Sequence, residues 1–432
     1  MKTVAFYTLG CKVNQYETNA MIEMFIKEGY EIVDFESKSD IYIVNTCTVT
    51  NMSDRKSRQI IRRAKQINPD SILVVTGCYA QIPSKEIEKI DDIDLIIGNT
   101  EKKDIVKLVE NLSGSKIDMT DINCEKEYTD FGTTTYTEKT RAVVKVQDGC
   151  NNFCSYCIIP YSRGRIRSRK INSIIDEVKC IANSGIKEVV ITGIDISSYG
   201  IDFKNENIRL IDLLEKINKI DEIKRIRLGS LEPNIITDEF IKRLKNVDKI
   251  CKHFHLSLQS GCTETLKRMN RKYTTDEFEE VACKLRNVFP DVMLTTDIIV
   301  GFPGETDEEF DITYEYLKKI KFYKMHIFKY SQRKGTRAAV MPNQIDSKIK
   351  EERSKILLEL SDKNEKEYLK KYIGKNVEVL FEQQEGKYIK GHTENYLIVK
   401  TNNNNNNDYS NKIINTIITD IDGLELIGKI ET

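Results

Sequence analysis

Three cysteines stand close together in the segment GCNNFCSYC at residues 149–157, namely Cys150, Cys154 and Cys157. Glycine and asparagine residues around them are typical of a loop, where buried structural cysteines are unusual. Thiolates bind soft metals, and three of them are one short of the closed four-ligand shell of a structural metal site. Such a loop could hold a metal centre that keeps one position open for a small molecule.

Several kinds of site could use these thiols. A zinc ion would need a fourth ligand, and no histidine or fourth cysteine is close in the sequence. A redox pair of Cys154 and Cys157 would leave Cys150 without a role. A [4Fe–4S] cluster held by three thiolates has one iron free for another ligand, and this interpretation fits the pattern best.

Three further cysteines, Cys11, Cys47 and Cys78, each end an apolar segment in the first part of the chain. The segments VAFYTLGC, IYIVNTC and SILVVTGC alternate with helix-like sequence, which predicts a parallel, doubly wound sheet. The carboxyl ends of parallel strands meet at one edge of such a sheet, where ligands bind. We therefore expect these cysteines to meet in space and form a second iron–sulfur site, rather than to be three unrelated buried thiols.

The elements that position these cysteines predict an α/β protein with three domains. Residues 1–110 would form the doubly wound sheet, and the polar residues 111–140 are predicted to be a linker. Residues 141–371 alternate strand-like and helical segments, which predicts a partial (β/α)6 barrel with its active face at the carboxyl ends of the strands. Residues 372–432 alternate and turn like a small β-barrel, with the asparagine tract 402–407 as a solvated loop.

Composition restricts the class of protein. The 432 residues include 67 basic and 67 acidic side chains, so any contact with nucleic acid must come from local basic patches. The 11 cysteines are odd in number and lack the spacing of a disulfide framework, which favours a reducing compartment. No segment has ~18 uninterrupted apolar residues, so we expect no membrane association and a cytoplasmic location. The pattern assigns no role to Cys124, Cys180, Cys251, Cys262 and Cys283.

The spacing of Cys150, Cys154 and Cys157, with the aromatic Tyr156 before the last, resembles the radical S-adenosylmethionine (SAM) superfamily. The resemblance implies that the free iron binds the amino and carboxylate groups of SAM. An electron from the reduced cluster would then break the sulfonium bond and give a 5′-deoxyadenosyl radical. The protein would mainly position the cofactor and exclude water.

The same resemblance implies that later strand ends contact SAM. The segment ITGID occupies the place of the superfamily's glycine motif, although Asp195 stands where a neighbouring Glu is more usual. Single Ser, Gln or Glu residues at loop starts often only cap helices, so the group is more informative than its members. The predicted SAM contacts are Tyr156, Gly193, Ser230, Glu232, Ser257, Gln259, Asp297 and Gly301.

Further segments resemble the methylthiotransferase family over essentially the whole chain. They are TLGCKVNQYET, NTCTVT and GCYAQ, followed by QDGCNNFCSYCIIPYSRGRIRSR. The resemblance implies that Cys11, Cys47 and Cys78 hold a second [4Fe–4S] cluster, which carries the sulfur to be transferred. One SAM molecule would methylate this sulfur, and another would supply the radical that removes hydrogen from an unactivated aromatic carbon. Such a carbon is not acidic enough for a protein base, so the histidines, His253, His255, His326 and His392, are expected to be structural.

The family acts on tRNA adenosines bearing isopentenyl or threonylcarbamoyl groups beside the anticodon, or on an aspartate of a ribosomal protein. TLGCKVNQYET is similar to the threonylcarbamoyladenosine branch, whereas the other two typically have GCQMN or GCPKN. The prediction is therefore methylthio addition to carbon 2 of N6-threonylcarbamoyladenosine at position 37 of tRNA. The alternatives are the other two substrates or a non-enzymatic, zinc-containing RNA-binding protein. Implied partners are ANN-decoding tRNAs bound at the anticodon loop, an electron donor such as flavodoxin or ferredoxin, and a sulfur source.

Basic and aromatic residues are predicted to contact the RNA. Alternating arginines of RGRIRSRK would share one face of an extended strand and suit phosphate contacts, and the less favoured alternative is a solvated surface segment that makes intramolecular ion pairs. The segment GKNVEVLFEQQEGKYIKGHTENYLIVK resembles the TRAM domain, a small RNA-binding β-barrel, where charge and base stacking could combine. The predicted contacts are Arg163, Arg165, Arg167, Arg169, Lys387, Tyr388, Lys390 and Tyr396, with a further basic cluster at Lys56, Arg58, Arg62 and Arg63.

Overall fold

The computed structural model describes every residue but 83–86, 88–91, 113, 115, 135–139, 205, 404–406 and 432. Its strands are β1 (Thr3–Thr8), β2 (Glu31–Val33), β3 (Ile41–Thr46), β4 (Ile72–Gly77), β5 (Leu95–Ile97), β6 (Lys116–Asp118), β7 (Arg141–Asp148), β8 (Arg167–Ser168), β9 (Glu188–Gly193), β10 (Arg225–Leu228), β11 (His253–His255), β12 (Met293–Val300), β13 (Lys324–Lys329), β14 (Asn376–Glu385), β15 (Tyr388–Thr393), β16 (Ile398–Asn402), β17 (Ile413–Asp422) and β18 (Glu425–Ile430).

The α-helices of the described residues follow the alternation that the sequence predicts. They are α1 (Lys12–Lys27), α2 (Asn51–Ile67), α3 (Cys78–Gln81), α4 (Ile105–Glu110), α5 (Ile159–Arg163), α6 (Ile171–Asn183), α7 (Leu210–Asn218), α8 (Asp238–Leu244), α9 (Thr263–Arg268), α10 (Thr275–Val288), α11 (Asp307–Ile320) and α12 (Ser347–Lys370). Among these described helices, none combines the length and the apolar character needed to span a bilayer.

The first domain is a six-stranded parallel sheet with the strand order β2-β1-β3-β4-β5-β6. Strand β3 is buried on both faces because helices cover both sides of the sheet. Met21 of α1 packs in one core cluster with Ile43, whereas Ile61 of α2 packs with Val44 in a second cluster on the opposite face. The predicted doubly wound sheet is therefore confirmed.

The segment predicted to be a linker, residues 111–140, also contributes to both neighbouring domains. Strand β6 lies within it and pairs in parallel with β5 at the edge of the first sheet. Farther along, Tyr128 Oη donates a hydrogen bond of 3.0 Å to the carbonyl of Lys145 in β7. The described part of this segment is thus attached to both domains at particular points, through hydrogen bonds to residues that local sequence does not reveal.

The second domain is the predicted partial barrel of parallel strands. It consists of two sheets, β10-β9-β7-β8 and β11-β12-β13, joined by bridges at Ile226–Ile250 and Leu231–Leu256. Side chains such as Val144 on the outer face of the strands pack against the helices. Alternate residues face the interior, which is unusually polar for a barrel and includes Arg141 and Arg227.

The third domain is a closed barrel with the strand order β14-β15-β16-β18-β17. It covers the amino ends of the partial-barrel strands, because the first residues of β7 and β10 bind it. Arg141 forms an ion pair of 2.7 Å with Glu382, and Arg225 donates hydrogen bonds to the carbonyls of His392 and Glu378 at 2.9 and 3.0 Å. The middle of the predicted asparagine loop, residues 404–406, lies outside the described residues.

A buried network of charges joins the first sheet to the partial barrel. Glu17 of α1 accepts hydrogen bonds from Lys145 Nζ at 2.7 Å and from Arg163 Nη2 at 3.0 Å, and it pairs with Lys102 at 2.5 Å. Asp148 pairs with Lys145 at 2.5 Å. Burial alone would raise the pKa of Glu17, but attraction to the three cations holds it well below its usual range.

Replacing Glu17 with Gln should lower the free energy of unfolding by about 3–5 kcal/mol, because three buried cations lose the anion that they share. Since the pKa of Glu17 is depressed in the folded state, its contribution should be complete above the unfolded-state pKa of about 4.3 and disappear as the pH falls further. Urea unfolding of anaerobic protein, followed by circular dichroism at pH 7 and about pH 3.5, measures both effects.

Glu28→Gln is the matched control, since Glu28 is exposed just beyond the end of the same helix. The free energy of unfolding of this variant should differ from that of the unchanged protein by less than about 0.5 kcal/mol at either pH. A Glu17→Gln protein as stable as the control would contradict the assigned role of the network.

Candidate active site

Cys11, Cys47 and Cys78, hereafter the sheet trio, lie at the carboxyl ends of three adjacent strands. They follow β1, β3 and β4, which are neighbours in the sheet. Gly10, with a φ of +103°, permits close approach, because a Cβ there would lie 3.0 Å from the Sγ of Cys47. The predicted edge of the sheet therefore brings these thiols together.

Burial disfavours free thiolates in the sheet trio, but positive charge lies beside it. Burial and the neighbouring Cys78 raise the pKa of the Cys47 thiol to about 11. Arg163 Nε donates a hydrogen bond of 3.1 Å to the Sγ of Cys78. Because the adjoining network, with Arg167 included, holds four cations against two carboxylates, anionic sulfur would balance the surplus positive charge. A metal that deprotonates these thiols thus fits the site.

Cys150, Cys154 and Cys157, hereafter the barrel trio, lie in the loop between β7 and α5 at the carboxyl ends of the barrel strands. Residues after α9 hold this loop in place. Asn270 Nδ2 donates a hydrogen bond of 2.9 Å to the carbonyl of Phe153, and Arg271 Nη1 donates one of 3.1 Å to the Sγ of Cys154. Burial, together with Cys154, raises the pKa of the Cys157 thiol to about 12.

The spacing of both trios favours a polynuclear cluster over a single zinc ion. Three thiolates on one tetrahedral zinc, at about 2.3 Å each, would have sulfurs roughly 3.8 Å apart. Within the described part of the chain, neither trio belongs to a set whose ligand atoms all lie within 4.8 Å of one another. At least two sulfurs of each trio are therefore farther apart than one zinc ion would hold them, and three soft thiolates are the donor set of an iron–sulfur core.

Several of the predicted SAM contacts surround the barrel trio. Glu232 forms an ion pair with Arg271, and the carbonyl of Ser257 accepts a hydrogen bond of 3.1 Å from the same guanidinium. Tyr156 lies near enough to Arg271 for the cation to affect the pKa of its buried hydroxyl. An ammonium or carboxylate group of a small molecule would find complementary charges here.

Asp195 also lies beside the barrel trio. Its carboxylate accepts a hydrogen bond of 3.2 Å from Asn152 Nδ2 and lies 3.9 Å from the Sγ of Cys150. Burial, with a contribution from the nearby Glu232, raises the pKa of Asp195 to about 6. The preceding glycine of ITGID, Gly193, is closely packed, because a Cβ there would lie 3.0 Å from the carbonyl of Gln147.

The other predicted SAM contacts lie elsewhere or have local roles. Ser230 lines a cavity inside the barrel, and the Oδ2 of Asp297 lies 3.3 Å from the Nε2 of His255. Gln259 adopts a φ of +74° and donates its backbone N–H to the carbonyl of Asp297. Gly301 donates its N–H to Glu305, and a Cβ on it would collide with a side chain of α12. Gln259 and Gly301 therefore shape strand ends.

Three of the four arginines in RGRIRSRK are buried, so their predicted role in RNA contact is wrong. The segment does not present one exposed face, because it ends α5 and then forms the short strand β8 beside β7. The intramolecular ion pairs that the sequence left open are what the structure contains. Their partners are Glu17 for Arg163, Asp148 for Arg167 and Glu177 for Arg169.

Other predicted RNA contacts remain accessible. Arg165 is exposed, with its guanidinium 4.4 Å from the centre of the Phe153 ring, and Lys387 is exposed beside Tyr388 on the small barrel. Lys390 is paired with Glu385 and Glu425. Of the basic cluster on α2, Lys56 and Arg62 are exposed, whereas Arg58 bonds to Tyr79 and Arg63 to Glu36.

Two cavities of about 310 and 390 Å³ lie between the three domains. Cys11 lines the first, and Lys12 and Tyr396 line both. Tyr396, predicted as an RNA contact on the small barrel, instead faces these cavities. The sheet trio is thus connected to the interior of the partial barrel.

All four histidines of the chain line the second cavity, a grouping that the sequence did not predict when it indicated structural roles for them. The ligand atoms of His255, Asp297 and His326 lie within 4.8 Å of one another. The alternation of His253 and His255 along β11 was a usable signal, since it places both on one strand face.

The five cysteines without a predicted role lie outside both trios. Cys124, Cys180 and Cys283 are exposed, whereas Cys251 and Cys262 are buried.

Comparisons with known families match both parts of this site. Residues 144–317 match the Radical SAM superfamily, and residues 3–98 match the family described as Uncharacterized protein family UPF0004. The first range contains the barrel trio, and the second contains the sheet trio.

Curated relatives are similar along nearly the whole chain. Threonylcarbamoyladenosine tRNA methylthiotransferase MtaB of Bacillus subtilis is 43% identical, covering 92% of this chain and 90% of its own. The protein of the same name from Aquifex aeolicus is 43% identical, covering 92% and 96%. The tRNA-2-methylthio-N(6)-dimethylallyladenosine synthase of Acetivibrio thermocellus is 35% identical, covering 99% and 91%.

Among solved structures, the radical S-adenosylmethionine methyltransferase TsrM from Kitasatospora setae superposes with a TM-score of 0.58, covering 79% of this chain and 77% of that one. At 15% identity this likeness concerns the fold alone. The full-length relatives, the two matched families and the two cysteine trios lead to one conclusion. The chain belongs to the radical SAM methylthiotransferase family.

Proposed function

We propose that this chain adds a methylthio group to carbon 2 of N6-threonylcarbamoyladenosine at position 37 of ANN-decoding tRNAs. Relatives named for the threonylcarbamoyl substrate are 36–43% identical, two of them at 43%, whereas relatives named for dimethylallyladenosine are 35–38% identical. This difference supports the threonylcarbamoyl substrate over the isopentenyl one. The proposed cofactors are two [4Fe–4S] clusters and SAM, with an electron donor such as flavodoxin or ferredoxin and a sulfur source as partners.

One contact carries the proposal that both trios serve one reaction. Arg163 is the last residue of α5, which directly follows the barrel trio, and its guanidinium binds the Sγ of Cys78 in the sheet trio. The sulfur would be held at one centre, and the substrate carbon would be activated at the other. Both centres must therefore lie close to the same bound substrate. A single buried side chain that bridges the two loops supports this arrangement.

Bound at these sites, the two clusters and SAM would supply the electron, the carbon radical and the transferred sulfur. The chain's own residues would hold and orient them. Arg271 fixes Cys154 and, with Glu232, offers a cation and an anion to the amino acid part of SAM. The small barrel closes the amino ends of the strands, so it would limit entry of water from that side.

The exposed face of α2 supports an RNA contact better than RGRIRSRK does. Arg55, Lys56 and Arg62 are exposed on this helix, which begins close to Cys47. Val49 and Met52, beside the start of the helix, are 52% and 70% exposed. Cations next to exposed apolar side chains suit contact with phosphates and apolar contact with bases near the sheet trio.

Deletion of the gene should remove 2-methylthio-N6-threonylcarbamoyladenosine from total tRNA and leave its unmethylthiolated precursor. Mass spectrometry of tRNA nucleosides measures both, with methylthio-isopentenyladenosine as the internal control. Persistence of the first nucleoside, or loss of the control nucleoside instead, would show that the proposed substrate is wrong. Peptide mass analysis of ribosomal proteins tests the third substrate class.

Cys154→Ala should abolish SAM cleavage, because the barrel trio would lose a ligand of the radical-forming cluster. Cys47→Ala should keep cleavage and lose sulfur insertion. Chromatography of 5′-deoxyadenosine and of the methylthio nucleoside distinguishes the two steps, and Cys180→Ala, at an exposed position outside both trios, should retain both. Equal loss of cleavage in Cys154→Ala and Cys47→Ala would refute the division of labour.

The double variant Lys56→Glu with Arg62→Glu should weaken tRNA binding by about tenfold and lower the slope of log affinity against log salt by about 2. The double reversal Lys216→Glu with Lys219→Glu changes charge equally on exposed positions at the end of α7 and should bind normally. Filter binding across a salt series measures both variants. Similar losses in the two would mean that α2 is not a specific RNA contact.

A further inference from the structure

Lys12 occupies an unusual position between the two cavities. It is the first residue of α1, directly after Cys11 of the sheet trio, and its side chain lines both cavities. The side chain is accessible rather than enclosed by the core. Its side chain therefore borders the same space as Cys11.

The other cations along these cavities already have counter-ions, whereas Lys12 has none. Their pairs are Arg141 with Glu382 at 2.7 Å, Arg227 with Glu188 at 2.6 Å and Lys324 with Glu365 at 3.3 Å. For Lys12, no hydrogen bond or ion pair with any described residue is found. A cation in a cavity with its neighbours neutralised is a binding group for an anion from outside the chain.

The opposite wall of the first cavity is rigid. The Tyr396 ring stacks between His253 and His392, with 5.0 Å between ring centroids on each side. The guanidinium groups of Arg141 and Arg227 lie 5.4 and 4.7 Å from the centre of the same ring. Tyr396 also adopts a φ of +73°, which is costly for a bulky residue and is kept only where surrounding contacts fix it.

We propose that this cavity binds the carboxylate of the N6 substituent on the substrate base and that Lys12 determines substrate specificity. The inference rests on the proposed function, since a threonylcarbamoyl group carries a carboxylate and a hydroxyl. Gln15 and Asn19 line the same cavity on the Lys12 face of α1 and offer amides to the hydroxyl and carbamoyl groups. Its volume of about 310 Å³ falls in the usual range for small-molecule pockets, ~300–1,000 Å³.

The same arrangement disfavours an apolar substituent. A hydrocarbon in the cavity would remove water from the Lys12 ammonium without providing a hydrogen-bond acceptor, and leaving a charged donor unpaired is costly. A carboxylate substituent would pair with Lys12, whereas an apolar substituent would leave the Lys12 cation unpaired. Both effects would favour the substrate with the carboxylate. SAM is a second possible source of a carboxylate, so the experiment has to distinguish the two.

The experiment uses iron-loaded, full-length enzyme under anaerobic conditions and two anticodon stem-loop RNAs. One carries N6-threonylcarbamoyladenosine at position 37, and the other carries its methyl ester, which removes only the charge. Fluorescence anisotropy should show about tenfold or greater preference of the unchanged enzyme for the free acid. Lys12→Gln should lose this preference, and Lys12→Arg should keep it.

Controls separate a binding role from a structural one. Lys27→Gln, at the exposed far end of the same helix, should behave like the unchanged enzyme. Iron and sulfide content should be equal in all variants, and equilibrium dialysis with labelled SAM should give the same affinity for Lys12→Gln. Weaker SAM binding by Lys12→Gln with an unchanged RNA preference would assign the carboxylate to SAM and overturn the proposal.

Failure of this inference can be told apart from failure of the proposed function. If the unchanged enzyme makes the methylthio nucleoside but binds the acid and the ester RNA equally well, the proposed carboxylate site is wrong and the proposed function stands. This holds whatever the variants do. An enzyme that makes no methylthio nucleoside from the threonylcarbamoyl RNA refutes the proposed function and this inference with it.

Discussion

Positive charge is buried where the first sheet meets the partial barrel, and the arrangement of both cysteine trios depends on balancing it. Lys102, Lys145 and Arg163 are almost fully enclosed and share two carboxylates, Glu17 and Asp148. Desolvated charge without a counter-charge destabilises a folded protein strongly. Thiolates of the sheet trio would complete the balance through Arg163, so metal loading and the docking of these two domains are expected to be coupled.

The cavities show that the small C-terminal barrel helps to build the interior of the molecule. It closes the amino ends of the partial-barrel strands through Arg141, Arg225 and Arg227. The loop of the barrel trio lies at the opposite, carboxyl ends of these strands. Tyr396 projects from it into the space that Lys12 reaches from the first domain. Each of the three domains therefore contributes a wall to one interior site, which no single domain could form.

Much of the fold and both cysteine trios could be predicted from the sequence because their signals are local. Apolar strand segments ending in cysteine, combined with the rule that parallel strands end at one edge, placed Cys11, Cys47 and Cys78 correctly at neighbouring strand ends. The loop of the barrel trio followed from its position after the first barrel strand. These inferences need only periodicity and strand order.

The side-chain environments could not be predicted in the same way, because they depend on partners distant in sequence. Arg163 is buried against Glu17, which is 146 residues away, so no property of RGRIRSRK distinguishes an internal ion pair from an exposed phosphate contact. Tyr396 meets His253 across a domain boundary. Strand β6 likewise joins the first sheet from a polar segment whose composition indicates a loop.

Counting metal in the protein and in two triple variants tests the central claim most directly. After anaerobic purification and reconstitution, the unchanged chain should hold about eight irons with matching sulfide, and replacing either whole trio by alanine should leave about four. Zinc without iron would contradict this account, as would a trio variant that retains all of its iron.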